Sequence, residues 1–512
     1  MTRSAGPVAR QRPGPVPLAA LVLLAALAGL AGCGGEPPLR IVVISLDTTR
    51  PDHLSAYGYD QDTTPTLAKL AREGALFTNA RSTSSWTLPA HMSLFTGLPP
   101  GLHDVVIDFQ SLDRSRRTLG EIFHQAGFRT AGVYSAPYVH GKYGFDRGME
   151  FYERGTLEPM VFDLPPAQQK LQLGAREKLG HQEVTSQLVT DRGLALLDRM
   201  ADRPRSLLFL HYFDAHYDYM APPRIAERFI DRTYTGEVTG KTAATVAFAL
   251  PEQPPAPDVA QLEGYYDAEL AWIDENLRRL IERQEQRGEL EHTLVVVTAD
   301  HGEAFFEHGR YGHRYDLHDE VLRVPLIVWA PGRVPAGRVI EDPVSLTDVL
   351  PTLMDYAGLP PDLALDGRSL KPLIDGGRLP PRPVTAALSF FPPPPPRGHY
   401  LLHEAIVAEG MKLIRQVEVP WSPDAQQVID APPEPGTETF VVYDLATDPG
   451  ETHDLVGTGD PRVQPLIDAF VAERERQRDR LASFKPQGSG APLSDIPLWE
   501  SMRAMGYLGD GK

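Results

Sequence analysis

Three acid or imidazole side chains and one hydroxyl carry the chemistry this sequence can do. Asp47 ends the run Leu39–Leu46 (LRIVVISL), and Asp300 follows the run LVVVT at 294–298 after a single alanine, with His301 directly behind it. Both runs are apolar and β-branched without alternation, the pattern of strands buried on both faces of a parallel sheet. In open parallel sheets, ligands bind beyond the carboxyl ends of the strands. Two carboxylates delivered there by separate strands, together with one imidazole, can converge on a single cation. That donor set suits Mn²⁺, Zn²⁺ or Mg²⁺ better than Ca²⁺, which prefers all-oxygen cages. Taken singly, either Asp reads as well as a helix N-cap behind its strand.

The hydroxyl is Thr87, in the segment SSWTLPAHMSLFTG at 84–97. Pro89 fits the first turn of a helix, which puts Thr87 at its mouth. There a hydroxyl faces unpaired backbone N–H groups and the positive end of the helix dipole. A cation in contact would lower its pKa further and make it a usable nucleophile. A plain threonine N-cap has the same local sequence, and this segment alone favours that reading.

The elements that position these groups alternate. Helical stretches are expected at 67–74, 119–127 and 183–200. Another follows the proline-rich insertion at 251–257, where Leu262, Tyr266, Leu270, Ile273, Leu277 and Ile281 recur at helical spacing until Gly288. Strands are expected at 129–134, 206–212 and 325–329. Strand–helix alternation predicts an α/β fold with a mainly parallel sheet sandwiched by helices. Beyond about residue 380 the order loosens. Five consecutive prolines (392–396) exclude a helix or central strand. Strands at 411–415 and 440–445 and a helix at 463–481 predict a smaller mixed α+β subdomain. The expected organisation is a leader (1–32), a tether (33–38), a catalytic domain (39–380), a C-terminal subdomain (381–485), and a linker and tail (486–512). The pocket wall is assigned to the loops 156–182 and 223–258.

The 512 residues are 42% hydrophobic and 23% charged, which excludes wholesale disorder. Lys and Arg number 50 against 68 Asp and Glu, a net charge of −18 with no clustered basic stretch, so nucleic acid is a poor partner. The only cysteine is Cys33, so no intramolecular disulfide can form. It follows a start with Arg3, Arg10 and Arg12 and a Leu/Ala-rich run at 18–30, the layout of a secretion signal. Leu30-Ala31-Gly32-Cys33 also resembles a bacterial lipobox. That resemblance implies lipidation of Cys33, a membrane tether and a cell-envelope location, with Gly34 pointing to the periplasmic face of an outer membrane. A plain signal peptide or N-terminal anchor is the other reading.

The chain resembles the sulfatase family of the alkaline phosphatase superfamily. Seven segments carry the likeness in order: VVISLDTTRPDHLSAYGY (42–59), TLPAHMSLFTG (87–97), GFRTAGVYSAPYVHGKYGFDRG (127–148), FLHYFDAHYDYMAPP (209–223), LVVVTADHGEAFFEHGRYGHRYDLHDEVLRVPLIVWAPG (294–332), DGRSLKPL (366–373) and VYDLATDPGETHDL (442–455). The resemblance implies an alkaline phosphatase-like fold and hydrolysis of anionic esters. By the same token Asp47, Asp300 and His301 match the metal ligands, and Thr87 matches a nucleophile that also touches the metal. His216 and His313 match positions that bind the anion or protonate the leaving group, a role suited to imidazole; many sulfatases have lysine where His313 stands. His211, Asp214 and His308 read more simply as structural polar residues. Arg50 reads as the ion-pair partner of Asp52.

The departures bear on the reaction. Sulfatases carry Cys or Ser in C/S-x-P-x-R, and that residue becomes formylglycine. Here the motif is Thr87-x-Pro89-x-His91, so no formylglycine forms and the arginine is replaced. The paired acids after the first strand are Asp47-Thr48, and Ser135-Ala136-Pro137 replaces Lys-x-His, with His140 or Lys142 as substitutes. A threonine ester must be cleared by a second attack at the central atom, as threonine-based relatives do with phosphate. Phosphoric ester hydrolysis or transfer with one divalent metal is therefore expected ahead of sulfuric ester hydrolysis. A catalytically inactive surface protein that binds anionic glycans or lipids through the same pocket is the alternative of a different class.

Overall fold

The computed structural model of the chain describes residues 38–488, except 108–109, 158, 161–162, 164–183, 363, 391–398, 421–428 and 430–431. The leader, Cys33, the proline run and the tail beyond 488 lie outside the described residues. No helix among the described residues is long and apolar enough to cross a membrane.

The main sheet has eight strands: β1 (Leu39–Leu46), β2 (Ala75–Phe77), β3 (Arg129–Tyr134), β4 (Phe151–Arg154), β5 (Arg205–Tyr212), β6 (Thr293–Ala299), β7 (Leu326–Trp329) and β8 (Arg338–Ile340). Their order is β8-β2-β7-β6-β1-β5-β3-β4. β7 runs antiparallel to both its neighbours, and every other pairing is parallel. β1 lies at the centre between β5 and β6, in a register that sets Leu46 beside both Tyr212 and Ala299. The residues that follow, Asp47 and Asp300, thus leave adjacent strands at the same edge.

Period-two alternation explains why these strands lack a polar face. Ile41, Val43, Leu294 and Val296 enter one core, and Val42, Ile44, Val295 and Val297 enter the other. Each buried aliphatic side chain contributes about 1.5–3 kcal/mol. The first core contains helix α2 (Thr87–Thr96) and helix α6 (Val349–Tyr356). The second holds α1 (Pro65–Glu73), α4 (Ser186–Arg199) and the long α5 (Ala256–Gln286). α3 (Leu119–Gln125) opens with a capping box between Thr118 and Glu121. The strands at 39–46 and 129–134 fall as expected. The proline-rich insertion is shorter than expected, because α5 already begins at Ala256 with Pro257 in its first turn, where the missing N–H costs nothing.

The second sheet, β9 (Val384–Phe390), β10 (His399–Ala408), β11 (Met411–Pro420) and β12 (Thr439–Asp444), is antiparallel throughout. Helix α7 (Val463–Ser483) covers it through Leu466 and Phe470 against Ile406, Leu413 and Val442. Beneath it Lys412 is fully buried and lies 3.1 Å from Asp319 and 2.8 Å from Glu451, while Asp319 also binds Arg81 at 2.7 Å. This buried ionic cluster ties β11 to the segment that leads into β7.

The turn behind β1 is held from the opposite side of the sheet. Tyr266 of α5 donates its hydroxyl hydrogen to the Thr48 carbonyl and accepts the Arg50 N–H, both at 2.8 Å. Thr48, with φ of 51°, sits in the left-handed region and is fixed by its own hydroxyl on the Ala215 carbonyl at 2.7 Å. Tyr266→Phe is expected to leave two buried backbone groups without partners and to cost about 1–3 kcal/mol, with weaker retention of divalent metal. Chemical denaturation and metal titration of the variant check this; unchanged stability would remove the anchor role.

Candidate active site

Asp47, Asp300 and His301 are fully buried, and one ligand atom from each lies within 4.8 Å of the others. Asp300 Oδ1 accepts the backbone N–H of His301 at 2.9 Å and of Thr48 at 3.3 Å. Asp47 Oδ2 accepts from His211 Nε2 at 3.1 Å. The remaining oxygens, Asp47 Oδ1 and Asp300 Oδ2, are buried with no hydrogen-bond partner. His301 donates its Nδ1 hydrogen to the Gly302 carbonyl at 2.9 Å, so Nε2 presents its lone pair, 3.3 Å from Asp300 Oδ2 and 3.8 Å from Asp47 Oδ1. An imidazole oriented in this way by its far nitrogen is arranged as a metal ligand.

The electrostatics of the cluster favour a cation in the same place. Burial raises the Asp47 carboxyl to about 7, with His301 working against it. Burial, followed by the charge of Asp47, raises Asp300 to about 6. Burial and then His313 lower His301 to about 4. Two buried carboxylates facing each other without a counter-charge are unfavourable by several kcal/mol each, and a divalent cation between them removes that penalty. The orphaned oxygens and the lone pair of His301 fit a small N/O-preferring divalent ion.

Thr87 does not act as a cap. The N-cap of α2 is Trp86, and Thr87 is the first helical residue with no side-chain capping bond. Its Oγ1 lies 3.3 Å from His301 Nε2 instead. One turn along α2, at i+4, His91 donates Nδ1–H to the Thr87 carbonyl at 2.9 Å and accepts the Ser45 hydroxyl at Nε2, also at 2.9 Å. Its Nδ1 is 3.4 Å from Asp300 Oδ2. Burial pushes His91 down to about 3, so a neutral ring stands where the motif's arginine would put a permanent charge.

His313 and His216 reach the same place from elsewhere. The His313 ring stands 4.4 Å from His301 and 4.9 Å from His216. A small hairpin, Ala304–Phe305 with Tyr311–Gly312, carries His313 back to the residues that follow His301. Buried Glu303 holds His313 Nδ1 at 2.8 Å. His216 donates Nδ1–H to the Tyr217 carbonyl at 3.0 Å and stacks on Phe213 at 4.5 Å. Glu303 escaped the sequence reading, although its place three residues behind Asp300 was a usable signal. The glycine between His301 and Glu303 is forced by close approach: a Cβ on Gly302 would lie 2.1 Å from the Glu320 carbonyl oxygen.

Other sequence candidates divide. His211 touches Asp47 and belongs to the site, against the simpler reading of it. Asp214 does not: its carboxylate takes Thr185 N and Thr185 Oγ1 at 2.6 Å and Ser186 N at 2.7 Å, holding the start of α4. His308 bonds Glu320 at 2.6 Å and stacks on His318 at 3.7 Å, in a second His/His/Glu group. Arg50 grips Asp52 with Nε and Nη2, as expected, and also binds Glu307 and the Glu303 carbonyl. His140 pairs with Asp163 at 3.2 Å, and Lys142 lies over the Tyr143 ring.

Asp300→Asn is expected to abolish tight divalent binding while leaving secondary structure intact, because one charge and one ligand are lost together. Elemental analysis after desalting reads this directly; equal metal content in variant and wild type would contradict the ligand assignment.

Residues 40–359 match the Sulfatase family, and residues 306–430 match the family described as N-sulphoglucosamine sulphohydrolase, C-terminal. Among curated relatives, arylsulfatase K of dog is 24% identical over 66% of this chain and 67% of that protein, and the match to bovine arylsulfatase K spans 60% of its length. N-acetylglucosamine-6-O-sulfatase of Bacteroides thetaiotaomicron is 21% identical over 90% of both chains. Among solved structures, BT4656 in complex with D-glucosamine-2-N,6-O-disulfate superposes with a TM-score of 0.65 at 19% identity, covering 87% of this chain and 99% of that one. The phosphonate monoester hydrolase of Agrobacterium radiobacter gives 0.64 at 20% identity, covering 90% and 100%. These likenesses establish the alkaline phosphatase-like α/β fold, and the family match over more than half of the chain places this protein in the sulfatase family of hydrolases.

Proposed function

We propose that this protein is a divalent-metal-dependent hydrolase or transferase of anionic esters that uses Thr87 as its nucleophile, with phosphoric esters as the preferred class. The observation that carries this reading is the approach of Thr87 Oγ1 to His301 Nε2 at 3.3 Å, beside the partnerless Asp47 Oδ1 and Asp300 Oδ2. Asp47, Asp300 and His301, with Thr87, would hold the cation, which when bound supplies positive charge that favours the ionised hydroxyl and the charge developing on the ester; Mn²⁺, Zn²⁺ or Mg²⁺ suits these donors. Thr87 Oγ1 loses its proton to solvent and forms a bond to the central atom as the bond to the leaving-group oxygen breaks. His313, with Nδ1 engaged by Glu303, exchanges protons with substrate through Nε2 and, with His216, protonates the departing oxygen. Water, or an acceptor hydroxyl, then attacks the same central atom and returns the proton and the oxygen of Thr87.

Phosphoric over sulfuric chemistry is supported by threonine itself, which cannot become formylglycine and must release its ester by a second displacement. The fold is shared with phosphonate monoester hydrolases as well as sulfatases. The curated relatives favour the second reading, direct sulfuric ester hydrolysis. Thr87→Ala is expected to abolish turnover, a loss of at least a thousandfold, while Thr87→Ser keeps a measurable rate. A panel of aryl phosphomonoesters, phosphodiesters and sulfates, assayed on one Mn²⁺-loaded preparation, ranks the classes. Retained activity in Thr87→Ala ends the nucleophile assignment, and turnover of the sulfates alone reverses the order of preference.

We also propose that Cys33 is lipidated and tethers the domain to the cell envelope, at the periplasmic face of an outer membrane. Support comes from the basic start, the apolar run and the Leu30–Cys33 motif. Protein purified from its native membrane should begin at Cys33 with the added mass of acyl chains. A mature N-terminus elsewhere, without lipid, would overturn the tether.

A further inference from the structure

One histidine near the active site takes no part in it. His308 sits in the turn of the hairpin that separates His301 from His313, and its partners come from the segment that leads into β7 and from beside the second sheet. Its Nε2 donates to the Glu451 carbonyl at 3.2 Å, and its Nδ1 stands 2.6 Å from Glu320 Oε1. A carbonyl and a carboxylate only accept. With Nε2–H committed to the carbonyl, Nδ1 faces Glu320 in one of two ways: with a second proton, or with a lone pair and a cation held by both groups.

His318 completes the group. Its ring lies 3.7 Å from that of His308 in planes 6° apart, and one ligand atom from each of His308, His318 and Glu320 lies within 4.8 Å of the others. His318 Nδ1 is buried with no hydrogen-bond partner, 3.5 Å from Asp316 Oδ1, and Nε2 meets the Tyr443 hydroxyl at 3.5 Å. So loose a hold lets the ring tilt. An imidazole lone pair lies in the plane of its ring, so two parallel rings address one ion only after such a tilt. The side chains of His308, His318 and Glu320 are 19%, 12% and 7% exposed, which leaves a way in for an ion.

We propose that His308, His318 and Glu320 form a second divalent-metal site, separate from the Asp47–Asp300–His301 cluster, and that it takes Zn²⁺. Two imidazoles and one carboxylate suit Zn²⁺, with water in the remaining position. The Glu451 carbonyl fixes the far nitrogen of His308, as outer partners of metal-bound histidines do. Bound there, the ion fastens the hairpin that carries His313 to the segment leading into β7. Through Glu451, which pairs with Lys412 of β11, it also fastens that hairpin to the second sheet. With one carboxylate instead of two, and partly open to solvent, this site is the weaker one. Desalting empties it, so metal retained after desalting still reports the first cluster. The proposal is independent of Thr87 and of the reaction.

Calorimetric titration of metal-stripped Asp300→Asn with Zn²⁺ tests this, because that substitution disables the first cluster. A single equivalent of Zn²⁺ should bind. Adding His318→Gln, or Glu320→Gln as a second variant that keeps the side-chain shape, should weaken it by at least roughly tenfold, the smallest cost of removing even an outer partner of a metal ligand. His453→Gln, at an 81% exposed histidine outside the group, should leave binding unchanged. No binding to Asp300→Asn, or equal binding with and without His318→Gln and Glu320→Gln, overturns the site and leaves His308 and Glu320 as an ion pair. Binding that only His453→Gln weakens places the Zn²⁺ on an exposed histidine and equally overturns it. If one of the two cluster variants misfolds, the other decides. Should Asp300→Asn keep the first ion, His318→Gln and Glu320→Gln made in the wild type still remove one equivalent, so the two assignments fail separately.

Discussion

Two carboxylates, Asp47 and Asp300, are carried into the buried interior by adjacent strands, and the architecture around them follows from the need to keep them apart, oriented and compensated. Each gives one oxygen to the protein, to backbone N–H groups or to His211, and keeps the other for the gap. This division requires the strands to be parallel and in register, so that both acids leave the sheet at one edge. It requires the turn after β1 to be fixed, which Tyr266 does from the far side of the sheet. It also places an imidazole, His91, on the helix that begins at Thr87, 3.4 Å from Asp300 Oδ2.

Much of this was legible in the sequence, because it is written in local patterns. Unbroken β-branched runs locate β1 and β6, and an acid directly behind each locates the edge where chemistry is possible. What the runs could not reveal was the parallel pairing of those strands with each other across about two hundred and fifty intervening residues. Thr87 illustrates the limit from the other side. Its segment alone favours a cap, whereas Trp86 takes the N-cap position and the Thr87 hydroxyl lies 3.3 Å from His301 Nε2. Strand direction was also hidden. The residues of β7 read like any buried strand, yet the chain returns after the segment that carries Asp300, His301 and His313 to run antiparallel to β6.

The second sheet was read in part. β11 and β12 overlap the strands expected at 411–415 and 440–445, whereas β9 and β10 flank the proline run and carry polar residues such as Glu404, which is buried because Arg415 and Arg474 pair with it. Lys412 is the sharper case. A lysine in a strand normally marks solvent, and no pattern within β11 reports that Asp319 and Glu451 converge on it. Glu303 and His211 fall in the same category, since their roles are defined by contacts with residues that lie far apart in the chain or across a turn.

The segment between β5 and α5 has a consequence for how such a protein diversifies. Its one large exposed apolar side chain, Phe248, packs edge-on against Tyr217 at 5.4 Å and Tyr311 at 5.3 Å, and the same segment carries His216 near its start, whose ring lies 4.9 Å from His313. The surface segment is thereby coupled to the buried cluster through an imidazole near its start, while the rest of it stays outside that cluster. A change of length beyond Tyr217 would reshape that outer rim while leaving the inner strands, which are paired only with one another and with buried side chains, undisturbed.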